Sequence, residues 1–231
     1  MDTAILDALT SSVISVAGWM AAKGIDLPSD LAANIEAVKT VEYYQRSLWA
    51  NVRKFYNSEI DAGEFIDEQI RLIEGQMRKA WYEGMRNVGY ENPPKEMTAE
   101  FDAELQAVID SEFDHVLDFA QAIEDAKLAN QPLEPFRART EMWVNRYTDV
   151  VNQAEVFTKP EQRFRWEYGD TQHCETCAAL NGTVATGQQW TDSPYQPQSP
   201  PNDALECGGW RCQCRLVPTD EPLTEGGIPS V

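Results

Sequence analysis

Apolar residues recur every three or four positions through most of residues 1–157, and this spacing predicts a body built from long amphipathic helices. The first stripe consists of Ile5, Leu9, Val13, Val16 and Met20. Acidic residues near its start and several Ser and Thr residues within it argue against a secretory signal or a membrane anchor. We expect an ordinary amphipathic helix here, and no stable association with a membrane.

Gly, Pro and Asn residues divide the remainder of this region into four further predicted helices, since these residues interrupt helices or favour turns. The predicted spans are 29–56, 60–89, 98–130 and 134–157. Ser29 or Asp30 can cap the first of these, and Thr98 the third. We expect the apolar stripes to form the core of the body.

The pattern changes after Pro160, where Phe164, Trp166 and Tyr168 alternate with charged residues in the period of two that is typical of a half-buried strand. A second alternating stretch follows at 212–217, and beyond it lies an acidic tail containing Gly and Pro. We therefore predict a helical body at 1–158, a cysteine-rich module at 159–218 and a flexible tail at 219–231. The fold class is mainly α, and α+β overall: a long-helix body followed by a small zinc-knuckle or β-hairpin module.

All five cysteines lie in the last quarter of the chain, at Cys174, Cys177, Cys207, Cys212 and Cys214. An odd number cannot pair fully within the chain, so a disulfide framework is disfavoured and we expect a reducing compartment. The CxxC pair and the second group about thirty residues later have the arrangement of a tetrahedral zinc site. Gly208 and Gly209 permit the tight turn that such a site needs.

A four-thiolate site uses only four of the five cysteines, and the spacing leaves the choice between Cys212 and Cys214 open. We predict Cys174, Cys177, Cys207 and Cys212 as the ligands, with Cys214 as an alternate. His173 is expected to contact the site from outside. Because four thiolates leave no open coordination position, the predicted zinc is structural.

Enzymatic alternatives find little support in the residue pattern. A thioredoxin-like dithiol requires a βαβ unit, and none is predicted around Cys174. The sequence from His173 to Glu175 matches the H-x-E of zinc deaminases, but the downstream P-C-x-x-C of those enzymes is missing. No phosphate-binding loop, dinucleotide fingerprint or nucleophile elbow is present. We therefore expect a protein that is not an enzyme.

The net charge narrows the range of partners. Asp and Glu number 38 against 19 Lys and Arg, which gives a formal charge of −19 and no basic run. Affinity for duplex phosphate comes from cationic side chains, so direct DNA binding is not expected. The many helical carboxylates are interpreted as solvated faces, and His115, in the middle of a helix, as structural.

Several ordered motifs resemble one protein family. In the helical body they are Phe55-Tyr-Asn-Ser-Glu-Ile60, Arg78-Lys-Ala-Trp-Tyr-Glu-Gly84 and Arg139-Thr-Glu-Met-Trp-Val-Asn-Arg146. Downstream they are Trp166-Glu-Tyr-Gly-Asp170, His173-Cys-Glu-Thr-Cys177, Leu180-Asn-Gly182, Trp190 and Leu205-Glu-Cys-Gly-Gly-Trp-Arg-Cys-Gln-Cys-Arg-Leu216. Together they resemble the minor head proteins of tailed bacteriophages, the Mu F-like head-morphogenesis group. The resemblance covers most of residues 50–218 and is most specific in the cysteine module.

The resemblance implies a low-copy virion protein at the portal vertex or capsid interior, present in the host cytoplasm during assembly and needed for head assembly, genome packaging or ejection. Its implied partners are the portal protein and the major capsid or scaffold proteins, with an oligomer around the portal as one arrangement. Many members of this group have a His-Pro pair where this chain has Cys207 and its glycines, so the third cysteine ligand is our inference from this sequence. The alternative is a cytoplasmic zinc-containing adaptor unrelated to a virion.

Overall fold

The computed structural model describes residues 29–90, 98–170, 172–197, 202–209 and 213–230, with backbone alone for 29–40 and 98. The predicted helix that contains Ile5 and Met20 lies outside the described residues. Of the residues that the structure describes, 63% are helical and 7% are in strands, which confirms a mainly helical fold with a small antiparallel sheet near the C-terminus. In the part of the chain that is described, no helix is both long and apolar enough to cross a membrane.

Four long helices form the body. They are α1 (Ser29–Tyr56), α2 (Ala62–Asn87), α3 (Thr98–Leu128) and α4 (Arg137–Thr158), the last preceded by a 3-10 turn at Glu134–Phe136. These bounds lie within three residues of the predicted ones. Asp61 accepts the backbone N–H of Glu64, and the Glu64 side chain accepts the N–H of Asp61, so this capping box starts α2.

The ends of the first three helices follow from residues that tolerate a left-handed backbone. Ser58 has φ 61°, Asn130 has φ 51° and Gly89 has φ 93°. After each of them the chain closes the helix end: the N–H groups of Glu59, Gln131 and Tyr90 donate to Lys54, Ala126 and Met85, respectively. These bonds satisfy carbonyl groups that a helix end leaves unpaired.

Buried aromatic and aliphatic side chains from all four helices form the core of the body, as the stripes predict. Its buried members include Leu48, Val52, Phe65, Ile73, Met77, Trp81, Phe101, Phe119, Ile123, Trp143 and Val150. Helices α2 and α4 approach so closely at Gly84 that a Cβ atom there would lie 2.3 Å from the carbonyl oxygen of Val151. This contact requires glycine, because no real Cβ atom could occupy that position.

A charged cluster lies inside the body, contrary to the interpretation of its carboxylates as solvated. Glu112 is 4% exposed and accepts hydrogen bonds from Trp143 Nε1 at 3.0 Å and from Arg146 Nε at 3.1 Å. Asp149 lies 4.0 Å from Arg146 on the same helix. Burial of these charges is tolerable because they are paired and hydrogen-bonded.

The cysteine-rich module contains a three-stranded antiparallel sheet of order β2-β1-β3, with β1 (Arg163–Glu167), β2 (Val184–Thr186) and β3 (Arg215–Pro218). Phe164 and Trp166 point into a second hydrophobic core, whereas Arg165 and Glu167 are partly exposed, as the alternation predicts. Two short helices, α5 (Glu175–Leu180) and α6 (Gly187–Asp192), complete the module. The sequence analysis predicted β1 and β3, but not β2, α5 or α6.

Helix α4 connects the body to the module. Its residue Val156 belongs to the second core, and Asn152 forms two hydrogen bonds with the backbone of β3. The Asn152 amide donates to the carbonyl of Leu216 at 2.8 Å and accepts its N–H at 3.0 Å. Helix α4 ends at Thr158, which coincides with the predicted boundary at 158, although contacts between the body and the module cross that boundary. The division into two domains stays a prediction.

The segment after Pro218, for which we expected flexibility, has defined partners. Thr219 donates its N–H to Arg163, and Thr224 donates its N–H to the carbonyl of Val184. The Thr224 hydroxyl accepts the N–H of Val184 at 2.8 Å, and Ile228 packs against the second core. The segment therefore passes the first residue of β1 and then contacts the outer edge of β2.

Candidate metal centre

The first two candidate ligands lie at the start of α5. Cys174 is the N-cap residue, and its Sγ accepts the backbone N–H of Cys177 at 3.4 Å. With the CxxC spacing, Cys174 is the N-cap and Cys177 is the third helical residue, so both side chains lie at the N-terminal end of the helix. Cys177 is buried, and Cys174 is half-buried.

The third candidate ligand, Cys207, comes from a tight loop between residues 202 and 209. Gly208 and Gly209 both have positive φ, 63° and 78°, as their predicted role in a tight turn requires. The N–H of Gly208 donates to Leu205 at 2.7 Å, and the N–H of Asn202 donates to Gly208 at 3.0 Å. These bonds hold the loop that carries Cys207.

Glu206 attaches this loop to the N-terminus of α5. Its carboxylate accepts the backbone N–H of Glu175 at 2.8 Å, and its own N–H donates to the Thr176 hydroxyl at 3.2 Å. The pair of bonds fixes Cys207 beside Cys174. Sequence reasoning missed Glu206 and Thr176, although both residues adjoin candidate ligands.

The three sulfur atoms of Cys174, Cys177 and Cys207 lie within 4.8 Å of one another. Thiolates at such distances can coordinate one metal ion, so the structure brings together three of the four predicted ligands. In the described residues these three form the group that could hold a metal ion.

Hydrogen bonding favours the thiolate form at this site. Burial of the Cys174 thiol acts to raise its pKa, but hydrogen bonds from Cys177 and Cys207 outweigh burial and hold the pKa below its usual value. A lowered thiol pKa assists metal binding, because the thiolate is the ligand.

The remaining predicted residues have different outcomes. Cys212, the predicted fourth ligand, lies outside the described residues. Cys214 is buried and does not belong to the three-thiol group; its Sγ lies 3.8 Å from Nδ1 of His173. His173 precedes Cys174 in the chain and does not belong to the three-thiol group; its contact with the site from outside stays a prediction.

The surroundings of the site differ from those of a redox dithiol. The CxxC pair follows β1 of an antiparallel sheet, whereas a thioredoxin-like site lies in a βαβ unit with parallel strands. Among the described residues, two turns bring three thiols together.

Comparison of the chain with models of protein families, with curated proteins and with solved structures finds no match.

Proposed function

We propose that this chain is a minor head protein of a tailed bacteriophage, in which a structural zinc ion stabilises the cysteine-rich module. The proposal rests on the resemblance of the ordered motifs to the Mu F-like head-morphogenesis group. One geometric observation supports it most directly: the most specific of those motifs, from Cys174 to Cys177 and around Cys207, meet in space as one thiol group.

The donor set favours zinc over other common metals. Soft thiolate ligands select Zn²⁺, Cu⁺ or iron–sulfur clusters, whereas Mg²⁺ and Ca²⁺ prefer oxygen ligands. Structural zinc sites are typically formed by two short turns, each of which contributes one group of ligands. We propose Cys212 as the fourth ligand, which would close the coordination sphere and leave no position for a substrate.

The helical body supplies surface for protein partners. Several large apolar side chains are exposed on its helices, among them Tyr43, Phe113, Leu128 and Met142. Such side chains suit docking against other helices, and we propose the portal protein and the capsid or scaffold proteins as partners. The charge of −19 disfavours packaged DNA as the main partner.

The decisive experiment is quantitative mass spectrometry of purified, nuclease-treated phage particles and proheads from the source strain. We expect this chain at a low, fixed ratio to the portal protein and far below the major capsid protein. Absence from both proheads and full particles would overturn the head role, and the cytoplasmic zinc-containing adaptor would take its place.

A complementation experiment links the metal site to that role. A phage that lacks the gene is supplied with the wild-type chain, with Cys177→Ser, or with Ala179→Ser as a matched control on the exposed face of the same helix. We expect infectious particles with the wild type and the control only. Equal titres with Cys177→Ser would show that the thiol group has no part in head assembly.

A further inference from the structure

The side chain of His173 contacts both Tyr168 and Cys214. Glu167 and Arg215 are register partners of β1 and β3, and Tyr168 and Cys214 adjoin these partners in the chain at the same end of the sheet. The His173 ring stacks on the Tyr168 ring, with 3.8 Å between centroids and 15° between planes. On its other side, His173 Nδ1 lies 3.8 Å from Cys214 Sγ.

Cys214 lies in the same core as the three-thiol group, but its sulfur atom is not within 4.8 Å of all three sulfur atoms of that group. Ligands of one tetrahedral zinc ion with Zn–S bonds of about 2.3 Å must have sulfur atoms about 3.8 Å apart. Cys174, Cys177 and Cys207 all lie within 4.8 Å of one another, and Cys214 does not join them. It is 1% exposed and belongs to the second hydrophobic core with Trp166 and Leu216.

We infer that Cys214 is not a metal ligand, and that it forms with His173 and Tyr168 a contact triad that positions Cys174 for metal binding. The inference rests on the proposed metal site and adds three positioning residues to it. It also favours Cys212 over Cys214 as the fourth ligand, a choice that the sequence alone leaves open.

A closed ring of contacts explains how the triad acts. His173 is bonded directly to Cys174, so fixing its ring restricts the backbone at the start of α5. Tyr168, which supports that ring, donates its N–H to the side chain of Asn181 at 3.2 Å, and Asn181 ends the same helix. Both ends of α5 are therefore attached to the end of β1.

Groups that orient metal ligands from outside commonly change metal affinity by 10- to 100-fold when they are removed, without changing the ligand set. That separation of effects distinguishes a positioning residue from a ligand. Filling of the core does not depend on the ring of His173 or Tyr168. A loss of metal affinity in variants that lack these rings therefore distinguishes a positioning residue from one that only fills the core.

The test is titration of the reduced, metal-free full chain with Co²⁺, whose thiolate charge-transfer and ligand-field bands report the number and geometry of ligands. For Cys214→Ala and His173→Ala we expect wild-type band intensity and position at saturation, and affinity lower on the order of 10-fold. Cys177→Ala, as the ligand control, should lose band intensity.

Two further variants keep the test decisive. Tyr168→Phe retains the stacked ring and should bind Co²⁺ like the wild type, whereas Tyr168→Ala should lose affinity as His173→Ala does. Cys214→Val preserves most of the buried volume and replaces Cys214→Ala if circular dichroism shows that the alanine variant does not fold.

Loss of charge-transfer intensity in either Cys214 variant would show that Cys214 is a ligand, and a band shift in His173→Ala would show the same for His173. Unchanged affinity in both His173→Ala and Tyr168→Ala would remove the positioning role. Failure of the wild type to bind Co²⁺ would overturn the metal site and this inference together, whereas absence of the protein from virions would leave the inference intact.

Discussion

The helical body and the cysteine-rich module both bury aromatic side chains, but they use very different lengths of regular structure to do so. The helices of the body have 28, 26, 31 and 22 residues, whereas the strands of the module have five, three and four and its helices six each. Long amphipathic helices bury a continuous core between them. Segments as short as those of the module bury a smaller core, and small modules commonly depend on a cross-link such as a metal ion.

From this difference we expect that the body is stabilised by its own packing and the module by the thiol group.

Cys174→Ser should unfold the module while the helices of the body stay formed. Structural zinc contributes on the order of 10 kcal/mol to the folding of small metal-dependent modules, and removal of one ligand forfeits most of it. Limited proteolysis should cleave within residues 160–218, while far-UV circular dichroism retains most of the helical signal; Ala179→Ser serves as the control. If Cys174→Ser without added metal resisted the protease across residues 160–218 as well as the wild type does, the thiol group would not be what stabilises the module.

Glu112→Gln should destabilise the body by about 3 kcal/mol, because it leaves the Arg146 guanidinium buried without its main counter-charge. Urea unfolding followed by the helical signal measures the change. Glu124→Gln, at an exposed position of the same helix, should unfold like the wild type. If both variants unfold at the same urea concentration, the buried pair does not stabilise the body.

Gly84→Ala should cost about 2 kcal/mol, since the new Cβ would meet the Val151 carbonyl and force α2 and α4 apart. Gly75→Ala is the matched control in the same helix: its Cβ would meet nothing within 4 Å, and it should gain about 1 kcal/mol from helix propensity. Both values come from the same urea unfolding measurement. A stabilising Gly84→Ala would mean that the two helices are not in close contact.

Asn152→Ala should cost about 1 kcal/mol by removing both side-chain bonds to Leu216. The effect should appear in the module although the substitution lies in the body, as faster hydrogen exchange of the Leu216 amide in metal-loaded protein. Asn145→Ala, on an exposed face of the same helix, should leave that exchange unchanged. Equal exchange in both variants would indicate that the regions are joined only by the chain.

The helical body was largely predictable because its residues mark both the faces and the ends of its helices. Asp61, Gly89 and Asn130 lie where the helices begin or end, and the stripes identify the buried positions. Glu112 was misjudged from composition, although its position indicated burial: it follows Ile109 by three residues and precedes Val116 by four, on the same stripe. Periodicity was the better guide there than charge.

The module was less predictable because its elements are too short to show a period. Val184–Thr186 has three residues, and its pairing with β1 depends on contacts distant in sequence. The spacing of the cysteines, in contrast, identified three thiols that meet in space. The stacking of His173 on Tyr168 occurs outside the regular elements, where no period of apolar residues can indicate it.

Both outer edges of the small sheet are occupied by the chain itself. Asn152 takes the place of a neighbouring strand at Leu216 of β3, and Thr224 does the same at Val184 of β2. An open strand edge is a template on which copies of a protein can pair without limit. With these two positions closed, the sheet is protected against edge-to-edge pairing into fibres.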